Sequence, residues 1–410
     1  MFAADDQRLG LALKAQSEFT RVELASAAPD LRDTLACVQT QASLLPLASP
    51  DDLALVQYHK GFCTLAGATI THNATEFKDA AAEFDKAIEE WPTRPRHGEK
   101  NKPPEPIPSG LYVLASVARL NAGWDDSSLD QAEPQIAAFV EKPVCTSSVM
   151  SESFCQDVLQ TGRQWLGWMA LRHERLDDAA RLFAGTAGTG WPEWVAGRKA
   201  FLDRRYPNAA SQYRQAIDLQ KMGASSMAGR LGPQPDLTVE FTELGGAHLL
   251  AGNRPAAIAA LDEAVKADPS NARALYLRAR AKELARQTDG ALADYSLASR
   301  TAFANAKDLA SGEAHLYRGI LLYRRKDYSH AEDEFASALN FEISAGMRAD
   351  ASAWRHLAAV TSGSCAASRQ NLERLLSAVS PYFPKDEART ALAACPPTAP
   401  SGSPGNAPVN

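Results

Sequence analysis

The fold is decided by residues 241–270, which read FTELGGAHLLAGNRPAAIAALDEAVKADPS. Large apolar and very small side chains recur here at spacings of three and four residues, the period of an amphipathic helix. Two helices approach closely only where small residues face each other and large residues fill the surrounding space. Pro269 cannot continue a helical hydrogen-bond ladder, so it marks the end of the second helix. The stretch is predicted to be a helical hairpin with the framework Phe241, Leu244, Gly245, His248, Ala257, Leu261, Ala264 and Pro269.

The same framework recurs further along the chain. A second copy lies 34 residues after the first. A third copy follows after about six extra residues near 305–310. The second copy comprises Leu275, Arg278, Ala279, Lys282, Ala291, Tyr295 and Ala298, and the third comprises Gly319, Leu322, Ala331, Phe335 and Ala338. A period of this length indicates an architecture of stacked repeats.

Residues 238–345 resemble the tetratricopeptide repeat family, whose pattern of Trp, Leu-Gly, Tyr, Ala, Phe and Pro has the same spacing. The resemblance implies an all-α fold, a right-handed α-solenoid of helical hairpins with a concave face. Each hairpin would bury its apolar stripe against its neighbours. Proteins of this kind hold a protein or peptide partner, so a binding scaffold is the expected function.

Weaker copies of the framework extend toward the N-terminus. They comprise Gly61, Ala80, Phe84, Ala87 and Pro92, then Leu166, Gly167, Ala179 and Phe183, then Gly197, Ala209, Tyr213 and Ala216. The first of them fits if its first helix is about two turns longer than usual, which preserves the buried face. With helix-pair patterns at 5–45, 111–140 and 351–394, the chain is predicted to contain about nine helical pairs.

Three segments interrupt this pattern and suggest the domain organisation. Residues 91–110 hold six prolines and are predicted to form an extended excursion. Residues 221–237 are predicted to be a linker between divergent repeats in 1–220 and regular repeats with a closing helix in 238–395. The tail, 396–410, has the composition of a disordered segment.

Composition argues against several classes of function. Hydrophobic residues make up 45% of the chain and charged residues 22%, as in a folded water-soluble protein. The net charge of -6 makes nucleic acid a poor partner. No run of about 18 apolar residues predicts a membrane span. Met1 to Asp6 lacks the regions of a signal peptide, although its small residues are compatible with what remains after cleavage.

Six cysteines fall into three couples that are neighbours along the chain. The expected disulfides are Cys37–Cys63, Cys145–Cys155 and Cys365–Cys395, each at a place where a stack of helices tends to fray. Disulfides persist in oxidising compartments, so a periplasmic or extracellular location is expected. The alternative is six independent buried thiols in a cytoplasmic protein. A metal site at Cys37, Cys63 and His59 is a weaker alternative, because no CxxC spacing occurs.

No motif in the sequence indicates catalysis. It lacks GxSxG, HExxH, a Walker loop and a GxGxxG after a strand. The eight histidines are scattered rather than clustered. We therefore expect no enzyme activity, no catalytic residue, no resident metal and no cofactor.

The expected partner surface is the face of the first helices, chosen from periodicity alone. Its candidate residues are Gln57, Lys60, Arg163, Arg198, His248, Arg278, Lys282, Arg318 and Tyr323. A second candidate is a basic run in the Pro-rich excursion, with Arg94, Arg96, Lys100 and Lys102. Such a run is usually just solvated, but its prolines would preorganise it for docking.

An alternative function rests on aromatic residues. Trp191 and Trp194 lie next to glycine-rich turns and could form a platform on which a sugar or peptide stacks. The protein would then be a glycan or nutrient binder similar to the SusD-like lipoproteins. The sequence departs from that family in having no N-terminal lipid-anchoring cysteine. The simpler interpretation of both tryptophans is that they fill the core of a repeat.

Overall fold

The computed structural model describes residues 2–25, 28–91, 107–143, 150–186, 188–222, 227–301, 309–341 and 343–395. Within these ranges it contains twenty α-helices, one short 3-10 turn and no strand. The predicted all-α class is therefore confirmed. The chain divides into two units, Met1–Pro235 and Asp236–Asn410.

The N-terminal unit contains eleven of the described helices. They are α1 (Phe2–Leu24), α2 (Leu31–Leu44), α3 (Leu53–Thr71), α4 (Ala74–Glu89), α5 (Ser109–Ala122), α6 (Asp126–Glu141), α7 (Glu152–Arg172), α8 (Leu176–Phe183), α9 (Trp191–Leu202), α10 (Tyr206–Lys221) and α11 (Met227–Leu231). The 3-10 turn, Leu45–Leu47, follows α2. Successive helices from α1 to α10 contact each other, so this unit is a stack of five hairpins followed by the short α11.

The C-terminal unit contains the other nine described helices. They are α12 (Leu237–Leu250), α13 (Arg254–Ala267), α14 (Ala272–Leu284), α15 (Thr288–Thr301), α16 (Leu309–Arg324), α17 (Tyr328–Ala338), α18 (Ala345–Thr361), α19 (Cys365–Leu375) and α20 (Lys385–Ala394). The first eight form four hairpins, and α20 packs on α18 and α19. The two units together give nine hairpins in the described chain, which agrees with the prediction.

Short polar side chains start many of these helices. Asp236 accepts hydrogen bonds from the backbone N–H groups of Thr238 and Val239 at the start of α12. Asn271 accepts one from Ala274 at the start of α14. Such caps satisfy donors that have no partner inside a helix. They fix where each helix begins, and so they help to set the phase of the repeat.

The turns inside the first three hairpins of the C-terminal unit each contain a residue with a positive φ. Gly252 has a φ of 79° between α12 and α13, and Arg286 and Lys326 have φ of 62° and 65° in the two following hairpins. This left-handed conformation is costly for residues other than glycine. Each of these residues follows the small framework residue of its first helix by seven positions. The small residue and the reversal of the chain therefore belong to one repeated structural unit.

Large residues of the second helices fill the hairpin cores. The residues that face the small positions are fully buried, with 0% exposure: Phe84, Phe183, Tyr213, Leu261, Tyr295 and Phe335. Burying a side chain of this size contributes roughly 1.5–3 kcal/mol to folding. The same residues were predicted as framework positions, so the structure confirms the repeat register.

Helix α11 lies inside the segment 221–237 that the sequence predicts to be a linker. It packs on α7 and α5 rather than on the neighbouring α10. The carbonyl of Leu231 accepts hydrogen bonds from Trp165 Nε1 at 2.8 Å and from Asn121 Nδ2 at 2.9 Å. The Leu231 side chain is 1% exposed. This part of the segment is thus built into the core of the N-terminal unit.

Two predicted segments fall largely or wholly outside the described residues. Positions 92–106 of the Pro-rich excursion are not described, and α5 begins at its C-terminal end. The predicted disordered tail, 396–410, is also outside the described ranges.

Candidate functional site

The first helices of the C-terminal unit form a continuous surface. Helix α12 contacts α14, α14 contacts α16, and α16 contacts α18, while each also packs on its own second helix. We call the surface of α12, α14, α16 and α18 the first-helix face. On each of these helices, residues three and four positions apart lie side by side on the surface. A molecule that binds across the face would contact these residues.

A cluster of aromatic and charged side chains occupies this face where α14 and α16 meet. The guanidinium of Arg280 lies over the ring of Tyr317, 3.9 Å from its centroid. Arg280 also donates to Glu283 Oε2 at 2.6 Å. Tyr295, from the second helix α15, donates to the same carboxylate oxygen at 2.8 Å. These contacts hold the cation–π pair in a fixed position.

The tyrosines of the cluster are hydrogen-bond donors at neutral pH. Burial raises the pKa of Tyr276 and of Tyr295. The carboxylate of Glu313 raises the pKa of Tyr276 further, and that of Glu283 does the same for Tyr295. Both phenols therefore stay protonated, because burial and a nearby negative charge disfavour the phenolate.

Two exposed arginines flank the cluster. Arg324 of α16 lies 3.4 Å from Glu283, and Arg273 of α14 lies 3.6 Å from Glu243 of α12. The arginine side chains are 64% and 63% exposed, whereas the two carboxylates are mostly buried. Because each arginine extends into solvent, water and salt weaken its pairing with the carboxylate. Both guanidinium groups can therefore also contact a carboxylate from another molecule.

Exposed leucines lie at an equivalent position in the two preceding repeats. Leu250 ends α12 and is 53% exposed, and Leu284 ends α14 and is 42% exposed. Each follows its small framework residue by five positions, as Arg324 follows Gly319. The end of the first-helix face is therefore apolar on α12 and α14 and cationic on α16.

Four of the sequence-predicted groove residues are engaged inside hairpins instead. Lys60 pairs with Glu83 at 2.8 Å, and Arg318 pairs with Glu334 at 2.6 Å. Arg278 and Lys282 both pair with Asp294, each at 2.7 Å. In every case the acid belongs to the second helix of the same hairpin. The structure thus assigns these four cations to internal ion pairs.

The other predicted groove residues are dispersed. Gln57 and Tyr323 are buried, and the Tyr323 hydroxyl donates to Glu387 of α20 at 2.9 Å. Arg163, Arg198 and His248 are half-buried on α7, α9 and α12. The positions that do lie together on the first-helix face, Tyr276, Arg280 and Glu283, were not selected from the sequence. Their i, i+4, i+7 spacing is the sequence feature that indicates a shared helix face.

Trp191 and Trp194 both pack against aromatic residues of their neighbouring helices. Trp191 is 5% exposed and stacks on Phe183, with ring centroids 5.6 Å apart. Trp194 packs on Tyr213 at a centroid distance of 4.7 Å. Trp191 therefore has no open ring face on which a sugar could stack. The basic run Arg94, Arg96, Lys100 and Lys102 lies outside the described residues.

Two of the three predicted cysteine pairs are at disulfide distance. Cys37 of α2 joins Cys63 of α3, with Cα atoms 6.1 Å apart. Cys365, at the start of α19, joins Cys395 after α20, with Cα atoms 5.7 Å apart. These distances fall in the normal range for a disulfide. The third predicted pair includes Cys145, which lies outside the described residues.

No helix in the described ranges is long and apolar enough to cross a membrane. No group of three or more His, Cys, Asp and Glu side chains in the same ranges could hold a metal ion.

Comparison with solved structures finds helical-repeat proteins. Yeast Tom70 matches with a TM-score of 0.38 and 11% identity, covering 95% of this chain and 96% of that one. The APC/C hetero-tetramer Cut9–Hcn1 matches with a TM-score of 0.41 and 12% identity, covering 94% and 95%. A TPR repeat-containing protein from Cytophaga hutchinsonii gives 0.36 and 12%, covering 68% and 94%. These scores are too low to support a functional comparison, so the fold rests on the hairpins themselves.

No protein-family model and no curated protein matches the sequence.

Proposed function

We propose that this chain is a non-enzymatic scaffold of the tetratricopeptide type, which binds a protein or peptide partner on the first-helix face of its C-terminal unit. The observation that carries the proposal is the preorganised cluster in which Arg280 is held over Tyr317 by Glu283. Arg and Tyr are enriched where proteins bind each other, because they combine large contact area with polar groups. Fixing them before binding reduces the entropy lost on association.

The chemistry of the face indicates the kind of partner. Arg273 and Arg324 offer exposed guanidinium groups, which bind carboxylates with two hydrogen bonds. Leu284 follows Glu283, the residue that Arg324 contacts, and Leu250 is exposed at the corresponding end of α12. An extended or helical segment that carries acidic residues near an apolar side chain fits this combination. The partner is therefore proposed to be an acidic, amphipathic segment of another protein.

The cysteine pairs support an extracytoplasmic location. The pairs Cys37–Cys63 and Cys365–Cys395 would both persist in the periplasm or outside the cell, where thiols oxidise. We therefore propose that the scaffold belongs to an extracytoplasmic bacterial assembly.

Site-specific photo-crosslinking tests the surface. A photoreactive residue replaces Leu284, which is 42% exposed on α14, or in a matched control Leu297, which is 44% exposed on α15 of the same hairpin. Irradiation of intact cells is expected to give one discrete protein adduct from position 284 and none from position 297. The charge-reversed variant Arg324→Glu should weaken that adduct.

Equal adducts from both positions would show that the first-helix face has no special role. The absence of any adduct from position 284 would count against partner binding on this face.

A further inference from the structure

The short helix α11 occupies a groove between α5 and α7, which are the first helices of their hairpins in the N-terminal unit. It packs on both of them. Its Ala228 and Leu231 side chains are each 1% exposed. A helix of five residues is too short to be stable by itself. Helix α11 is therefore helical because it is docked in this groove, as a bound peptide would be.

Side chains of α5 and α7 bind the backbone of α11. Asn121 Nδ2 and Trp165 Nε1 donate to the carbonyl of Leu231 at 2.9 and 2.8 Å. Gln164 Nε2 donates to the carbonyl of Ala228 at 3.2 Å. The indole N–H of a tryptophan can only donate, so it selects a ligand with an acceptor at this point. The last carbonyls of a helix have no partner within it, so the end of a helical turn meets this requirement.

The groove also selects the residues of the segment. Leu231 fills it with an apolar side chain, and Pro233 is buried as well. A Cβ atom on Gly232 would lie 2.2 Å from Gln164 Oε1. Gln164 cannot move aside without losing its hydrogen bond to Ala228. The groove therefore favours a segment with Ala, Leu, Gly and Pro at the positions of 228, 231, 232 and 233.

The charged contact of α11 does little to hold the helix in place. Burial raises the pKa of the Asp157 carboxyl on α7, although the charge of Arg230 on α11 acts in the opposite direction. Burial likewise lowers the pKa of the Arg230 guanidinium, although Asp157 opposes this change. In both groups the loss of hydration outweighs the mutual attraction. Charge pairing therefore does not lock α11 into the groove.

We propose that the groove between α5 and α7 is a second peptide-binding site, in which α11 is an internal ligand that a segment of another protein displaces. The displacing segment forms one helical turn and has Ala, Leu, Gly and Pro at the positions that Ala228, Leu231, Gly232 and Pro233 occupy in α11. This inference does not depend on the first-helix face, which belongs to the other unit.

Fluorescence polarisation with a labelled peptide tests whether the groove accepts a ligand from outside the chain. The probe is the peptide of residues 227–236, MAGRLGPQPD, and the receptor is the full chain. In the wild type, α11 competes with the probe at an effective concentration of about 1 mM or more. Leu231→Asp puts a charge on the docked side chain, so α11 should leave the groove. This variant should bind the probe at least about tenfold more tightly than the wild type does.

Two matched controls accompany this measurement. Leu202→Asp makes the same change at a position on α9 that is 59% exposed, and should bind the probe as the wild type does. A probe with Gly232→Ala should bind the Leu231→Asp variant about tenfold more weakly, because the added methyl group meets Gln164. Circular dichroism and thermal unfolding confirm that the chain variants remain folded.

If Leu231→Asp does not fold, Leu231→Ala serves as the displacing variant. A folded displacing variant that binds the probe no more tightly than the wild type would refute the proposal, and so would equal binding of the two probes. Unfolding of both displacing variants would refute it too, because α11 would then be part of the core rather than a ligand.

Discussion

Gly245 lies directly against Leu261, so that a Cβ atom at residue 245 would come within 2.4 Å of Leu261 Cγ. The same relationship recurs between Gly319 and the Phe335 ring, where the distance would be 2.6 Å. Real Cβ atoms do not approach other heavy atoms so closely. The two helices of a hairpin are therefore held at a separation that only glycine permits at these first-helix positions.

We expect Gly245→Ala to destabilise the C-terminal unit by about 1–3 kcal/mol, because the added methyl group forces Leu261 or the helices to move. Urea unfolding followed by circular dichroism measures the change. Gly246→Ala is the matched control, since its Cβ would meet nothing closer than 3.7 Å, at Leu277. This control should gain about 0.5–1 kcal/mol from the better helix propensity of alanine. Similar effects of both substitutions would contradict the proposed packing.

The buried carboxylate of Asp294 should be essential to its hairpin. Asp294 is 3% exposed and pairs with both Arg278 and Lys282. Removing one member of a buried ion network leaves uncompensated charge, so Asp294→Asn should cost about 3–5 kcal/mol. Asp262→Asn is the control, because that acid also pairs with Arg278 but is 53% exposed. The control should cost at most about 1 kcal/mol in the same denaturant titration.

His59 should make stability fall in acid. Burial lowers the pKa of the folded-state imidazole to about 3, from 6.5 in the unfolded chain. Below pH 6.5 the unfolded state therefore binds a proton that the folded state does not. The free energy of unfolding should decrease by about 1.4 kcal/mol per pH unit as the pH falls from 6.5 toward 3.

The variant His59→Phe isolates this contribution. It keeps a ring against Phe19 and has no proton to bind, so its stability should depend less steeply on pH across that window. Chemical unfolding at several pH values compares the two proteins. Identical pH slopes would show that His59 is not buried as a neutral ring.

The cysteine pairs make a prediction about purified native protein. Alkylation without reductant should leave Cys37, Cys63, Cys365 and Cys395 unlabelled, and peptide mapping should recover the two linked pairs. The double variant Cys365→Ser with Cys395→Ser should lose roughly 3.5 kcal/mol, as expected for closing a loop of 30 residues. Complete labelling of these thiols in protein isolated from its native compartment would remove the support for an oxidising location.

Local sequence was sufficient to predict the hairpins. Each contains small and large residues at fixed spacings, and the contact between Gly319 and Phe335 joins positions only 16 apart. Short-range contacts of this kind depend on helix period and turn length alone. The cysteine pairs could be predicted for the same reason, because consecutive helices of a stack must contact each other.

The candidate site was less predictable, since a first helix in a stack packs on several sides. Periodicity selected Arg278 and Lys282, yet these residues face the second helix and pair with Asp294. Arg280 lies two positions away on the same helix and reaches Tyr317 of the next repeat. Positions two apart point about 200° apart around a helix, so the assumed phase decides which face is selected.

The sequence by itself determined that the chain is a series of helical hairpins, because each hairpin is specified by residues fewer than about 40 positions apart. Only the tertiary structure decided where α11 packs. Its Leu231 carbonyl is hydrogen-bonded to Trp165 and to Asn121, which lies 110 positions earlier. No periodic pattern links such distant positions. Their contact exists because the intervening hairpins, once stacked, leave a buried site between α5 and α7 that this segment fills.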